Sequence, residues 1–170
     1  MRENVITIQT IIVSSRQRKS IIMAYKSLDI ANKLLAKAES VCGGDLMSNM
    51  KLQKMLYYEQ GYHLAAFGTP LFDDDVEAWM YGPVVPSVYD HFKHHKAGGI
   101  EPETEDAVML SEEEEELFND VFDAYADFSA YGLMQKTHQE SPWKDTQVGP
   151  GNVISQEKMQ VFFSKKLANA

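Results

Sequence analysis

Residues 51 to 93, KLQKMLYYEQGYHLAAFGTPLFDDDVEAWMYGPVVPSVYDHFK, constrain the fold most. Ser48 is placed to cap a helix that continues to Phe67, and Leu52, Met55, Leu56, Tyr62 and Ala66 lie along one side of it. That periodicity predicts a central core helix. Gly61 costs such a helix about 1 kcal/mol relative to Ala, so its use implies close packing against another helix. Gly68 and Pro70 stop the helix. Val76, Ala78 and Met80 then alternate with Glu77, Trp79 and Tyr81, which predicts a short strand broken by Gly82-Pro83. Pro86 suits the first turn of a following helix carrying Val88, Tyr89 and Phe92, which ends before Ala97-Gly98-Gly99. The side chains able to act on a substrate are scattered through this segment, so it reads as a shape for binding.

The flanks add helices. Ile30, Ala31, Leu34, Leu35 and Ala38 recur at three and four residues and predict a helix over 27–40, capped by Ser27 or Asp29 and ended by Gly43-Gly44. A second short strand is expected around 107–109. Ser111 and Glu114 form a capping box that opens a helix with Leu117, Val121, Tyr125 and Phe128 as its apolar stripe. Gly132 is read as the break before a short helix over 133–140. Pro142 and Gly149-Pro150-Gly151 punctuate a loop, and Ser155 opens a last helix that buries Met159, Phe162, Phe163 and Leu167. The expected class is mainly α (α+β): one compact domain over 23–170, with five to seven helices and one small sheet of two or three strands. Residues 1–22 are Val/Ile/Thr/Ser-rich, then basic, and lack helical periodicity. They are expected to form an extension that is disordered or contacts a partner.

Charge narrows the partners. The formal net charge is -9, and residues 101–116 alone hold nine acidic side chains and no basic one. The remainder of the chain therefore sums to zero. Nonspecific nucleic-acid binding, which needs a basic face, is not expected. A basic protein partner is compatible with the acidic segment, whose bland reading is a solvated loop and helix start. No apolar run approaches the roughly 18 residues of a membrane span, and a cytoplasmic protein is expected. The single cysteine, Cys42, rules out an internal disulfide framework and has no evident activator.

Candidate chemistry is thin. His91, His94 and His95 share one helix, and the 91/95 spacing would let two imidazoles reach one ion. No carboxylate or cysteine completes that set at a recognisable spacing, and no metal or cofactor is expected. His138 and Glu140 could do acid-base work, yet no nucleophile is placed with them, so a packed helix end beside Trp143 is favoured. Asp73, Asp74, Asp75 and Glu77 lack calcium-loop spacing and read as a polar turn. Phosphate-binding glycine loops, nucleophile elbows and kinase signatures are missing. No catalytic residue is assigned. Tyr57 and Tyr58, adjacent on one helix, are not expected to face the same core. Exposed aromatics among Tyr57, Tyr58, Tyr62, Phe67, Trp79 and Tyr81 would make protein-binding anchors.

In order, KLQKMLYY, PLF, VEAWMYGPVVPSVY and THQESPW closely resemble the SocA-like antitoxin (Panacea domain) family, over about residues 28–167. The resemblance implies a mainly helical domain, associated with prophages and other mobile elements, that neutralises a toxin encoded beside it by direct binding. It also implies no catalytic residues, and for the founding member an adaptor role toward the ClpXP protease. The motif positions Leu52, Gln53, Lys54, Tyr89, His138 and Trp143 are expected to define the fold. Trp79, Tyr81, the Gly82-Pro83-Val84 corner and Glu112, Glu113 and Glu115 are the expected partner contacts. A homo-oligomer is allowed. The competing readings are a phage-encoded host-modulating or adaptor protein without a dedicated toxin, and, remotely, a small metal-dependent or hydrolytic enzyme.

Overall fold

The computed structural model describes residues 23–41, 45–104 and 108–170. The 1–22 extension, Cys42, the Gly43-Gly44 helix stop, and Ala107 of the expected second strand lie outside these residues. Helix α1 spans Ser27–Val41, and strand β1 (Met47–Ser48) leads into α2 (Asn49–Phe67). Strands β2 (Glu77–Trp79) and β3 (Gly82–Val84) precede α3 (Pro86–Phe92), a 3-10 turn (Lys93–His95) and β4 (Gly99–Ile100). Then come α4 (Glu112–Tyr125), α5 (Ala130–Gln139), α6 (Ser141–Lys144) and α7 (Gln156–Ala168). The protein is mainly helical, with seven α-helices among the described residues and two antiparallel two-stranded sheets, β1–β4 and β2–β3, in place of one.

Helix α2 is the axis around which the other elements pack. Its N-cap is Ser48, whose hydroxyl accepts from the Lys51 N–H, and its C-cap is Gly68, in the left-handed conformation at φ 73°. Residues 52–61 are buried without interruption, so the helix has no solvent face over that stretch. The one-sided stripe read from the sequence is thus too narrow. Tyr57 and Tyr58, expected to diverge, are both fully buried, because α7, α4, α5 and α1 cover α2 from different sides. Their hydroxyls converge on one carboxylate, Glu140. Gly61 does serve close packing: a Cβ there would lie within the Phe163 ring of α7.

A helix buried all round with polar residues on it must find partners for them. Gln60 accepts from the N–H groups of Leu71 (2.7 Å) and Phe72 (3.2 Å) and donates to the Phe72 carbonyl (2.8 Å), which pins the 69–75 loop. His63 reaches the Thr69 carbonyl at 2.7 Å through Nδ1 and Glu114 at 3.0 Å through Nε2. Glu114 also accepts from Tyr25 Oη (2.7 Å) and the Ser111 N–H (2.9 Å), completing the predicted capping box. Burial opposes its ionisation, but these bonds from His63, Ser111 and Tyr25 outweigh it and hold the carboxyl down at about 2.

Four boundaries differ from the sequence reading. The second strand is Gly99–Ile100, while Val108 and Met109 carry none; Ile100 is fully buried and Gly99 packs against Leu46, where a Cβ would not fit. Helix α4 ends at Tyr125, leaving Phe128 outside it, partly exposed beneath the Lys136 ammonium. Gly132 lies in the first turn of α5 and gives its N–H to the Ser129 cap, which outweighs the glycine as a boundary signal. Ser27 is already helical and bonds Asp74 through its hydroxyl.

Candidate functional site: the hairpin and its buried frame

The β2–β3 hairpin is where the distinctive sequence words meet. Its register pairs Glu77 with Val84, Ala78 with Pro83 and Trp79 with Gly82, so Gly82-Pro83 continues the sheet after the Met80-Tyr81 turn instead of ending it. Proline is tolerated because its partner Ala78 turns its own backbone groups the other way. Ala78 donates to the Asn152 carbonyl (2.9 Å) and accepts from the Gly149 N–H (2.8 Å). Gly82 has φ 101°, and a Cβ there would stand 2.6 Å from Lys54 Cε and 2.9 Å from Thr137 Oγ1. Only glycine meets both demands.

Side chains from three helices hold this hairpin by its backbone. From α2, Gln53 accepts from the Val85 N–H at 2.9 Å and donates to Asn49 at 2.8 Å, while Lys54 Nζ donates to the Pro83 carbonyl at 3.1 Å. From α6, Trp143 Nε1 donates to the Trp79 carbonyl at 2.9 Å. From α5, the His138 ring stacks on Trp143 with centroids 3.8 Å apart. Trp79 Nε1 in turn donates to Glu77, which also accepts from the Gly151 N–H, and the Trp79 ring meets Tyr89 edge-on at 5.0 Å. Glu140 accepts from Tyr57, Tyr58 and Lys166. Burial pulls Lys54 from 10.5 down to about 7. Burial first, and then the nearby Lys54, lower His138, against a hydrogen bond with the Met80 backbone.

The structure places the sequence-predicted residues as follows. Gln53, Lys54, Tyr89, His138 and Trp143 gather beneath or beside the hairpin, Gln53 and Lys54 buried, and Leu52 is a buried core residue. Gly82, Pro83 and Val84 are buried and Trp79 is half-buried. Tyr81 projects into solvent at 64% exposure, beside Met80 at 67%. Sequence alternation put Met80 on the same face as Val76 and Ala78; the turn takes it out of the strand. Glu112 is exposed and Glu113 half-buried, whereas Glu115 is paired with Lys33 at 2.8 Å. His91 bonds Glu103 (2.8 Å), and among the described residues no group of three or more His, Cys, Asp or Glu could hold a metal ion. Likewise no described helix is long and apolar enough to cross a membrane. Sequence reasoning passed over Glu59 and Gln60 as core polar residues and weighed Glu140 only for acid-base work; the adjacent pair Glu59-Gln60 inside an apolar helix was the available signal.

This frame is built from backbone-directed hydrogen bonds and aromatic packing, with two exposed side chains at its tip. That arrangement can present a fixed surface to a macromolecule.

Comparison with known proteins gives the family. The model of a family described as "Antitoxin SocA-like, Panacea domain" matches residues 52–144, more than half of the chain. The chain is also 45% identical over 64 residues to the Antitoxin SocA of Caulobacter vibrioides (strain NA1000 / CB15N), a stretch covering 37% of this chain. It spans about a third, 32%, of that relative's length. No solved structure matches the chain.

Proposed function

This chain belongs to the SocA-like antitoxin, Panacea domain family, and on that premise we propose that it neutralises a cognate toxin in the cytoplasm by direct protein–protein binding, without catalysis. The observation that carries the reading is the family match over residues 52–144, which takes in the whole hairpin and the side chains that hold it. The exposed pair Met80-Tyr81 supports it. Large side chains held on a rigid turn lose little entropy on docking and suit interface anchors. Neither β2 nor β3 is an open edge. Ala78 is engaged by Asn152 and Gly149, and Val85 and Pro83 by Gln53 and Lys54. A toxin would therefore meet side chains at the tip, not add a strand. Glu112 and Glu113 would add contacts to a basic toxin.

Co-expression is the test. The product of an adjacent gene should arrest growth alone, be rescued by this protein, and co-purify with it. Tyr81→Ala combined with Met80→Asp should weaken the complex at least tenfold with an unchanged melting temperature. Repeating the rescue in cells lacking ClpXP separates masking, which persists, from delivery to the protease, which does not. A harmless neighbour would sink the antitoxin reading for this protein.

A further inference from the structure

Lys54 is a buried cation site without a buried anion. Its side chain runs under Gly82, and the Pro83 carbonyl at 3.1 Å is the one acceptor its Nζ meets among the described residues. An ammonium has three donors to satisfy and an uncharged amine can be content with one good acceptor. The groups around it do not help the charged form. From α5, Thr137 Oγ1 donates to the Met134 carbonyl and makes no hydrogen bond with Nζ, and His138, a second base, has its buried Nε2 without a hydrogen-bond partner. From β3, only the Gly82 and Pro83 backbone faces it, with no titratable side chain. Glu140, just past the end of α5, is taken by Tyr57, Tyr58 and Lys166.

The hairpin above Lys54 consists of two three-residue strands with an exposed tip. Pro83 and Val85 are held by side chains of α2, whereas β2 is held by the Trp143 side chain and by the backbone bonds of Ala78 to Asn152 and Gly149. Small elements of this kind open more readily than the core beneath them. We propose that the β2–β3 hairpin is a proton-coupled latch: it closes on uncharged Lys54 and opens by releasing Lys54 to water, where the amine takes up one proton. The latch rests on the hairpin geometry and on the burial of Lys54 against one acceptor, with no toxin involved. Its consequence, that pH sets how long Met80-Tyr81 is presented to a toxin, rests on the antitoxin reading.

The direction follows from the closed and open amines. In water a lysine titrates near 10.4, and closed Lys54 near 7. Between those values opening binds a proton, so the opening equilibrium falls about tenfold for each pH unit gained. Below about 7 both forms are charged and the dependence vanishes.

Amide hydrogen exchange on the full chain, corrected for intrinsic rates, tests this from pH 7.5 to 9.5. Amides of β3 should open more often than those at the centre of α2, and their opening should fall roughly a hundredfold over that range, one proton per opening. Lys54→Met should flatten the slope in β3, and His138→Gln should leave it. A flat wild-type slope, β3 exchange only through global unfolding, or a slope that survives Lys54→Met but vanishes in His138→Gln would each overturn the latch. Because wild type alone can fail the first two criteria, a variant that does not fold leaves the proposal open to refutation. None of these outcomes depends on a toxin, so the latch and the antitoxin reading fail separately.

Discussion

Glu114 and Glu59 show how differently two buried carboxyls can be used. Glu114 receives donors from His63, Tyr25 and Ser111, and its carboxyl is held at about 2 although burial alone would raise it. Glu59 is fully enclosed with its Oε1 unpartnered; burial raises its carboxyl well above the usual range, with Lys37 and Lys33 opposing and Glu115 adding to the rise. The signs are therefore opposite. Glu114 contributes stability that is present above its unfolded value near 4.3 and is lost as pH falls toward about 2. Glu59 favours the fold in its protonated form, and that contribution fades as pH rises. Glu114→Gln should cost about 3 kcal/mol or more at pH 7, since it leaves a buried partner uncompensated. In urea titrations the gap from wild type should narrow between pH 4.5 and 2. A gap that is constant with pH would mean the carboxylate is not what the bonds hold.

At the scale of elements, caps were the most legible feature. Ser48, Ser111 and Ser155 each stand where the sequence puts a helix start, because a hydroxyl that accepts an orphan N–H acts within one turn and needs no tertiary partner. The hairpin was only half legible. Alternation gave β2, but Gly82-Pro83 reads locally as a breaker, and it becomes a strand only because Ala78, Gln53 and Lys54 engage it from both sides. Met80 likewise lost its inward place to a turn that no periodicity predicts. Of the site, the residue types were readable and the partners were not. Trp143 and Trp79 are 64 residues apart, and Tyr57 and Glu140 are 83 apart. Trp143→Phe keeps a ring to stack on His138 but loses the bond to Trp79. It should lower stability by about 1 kcal/mol and raise exchange at β2 and β3 more than in α7, by urea denaturation and amide exchange.

For the whole molecule, α2 is a buried axis whose polar side chains reach outward to hold loops, hairpin and caps in place. The described core closes upon itself at Tyr25, whose N–H donates to the Leu71 carbonyl at 2.8 Å and whose hydroxyl binds Glu114. A chain truncated to begin at Met23 should therefore melt within a few degrees of the full-length protein. Loss of cooperative melting in that truncation would show that residues 1–22 belong to the fold. The sequence alone was enough for most of the helices, for the Ser48, Ser111 and Ser155 caps and for the mainly helical class, since these follow from hydrogen bonding within a turn and from periodicity along one chain. The family likeness came from the wording and order of its motifs. Only the tertiary packing decided that α2 has no exposed face over residues 52–61, that Tyr57 and Tyr58 share Glu140, and that Lys54 lies buried beneath Pro83. Burial is a property of what covers a residue, and the covering elements come from distant parts of the chain.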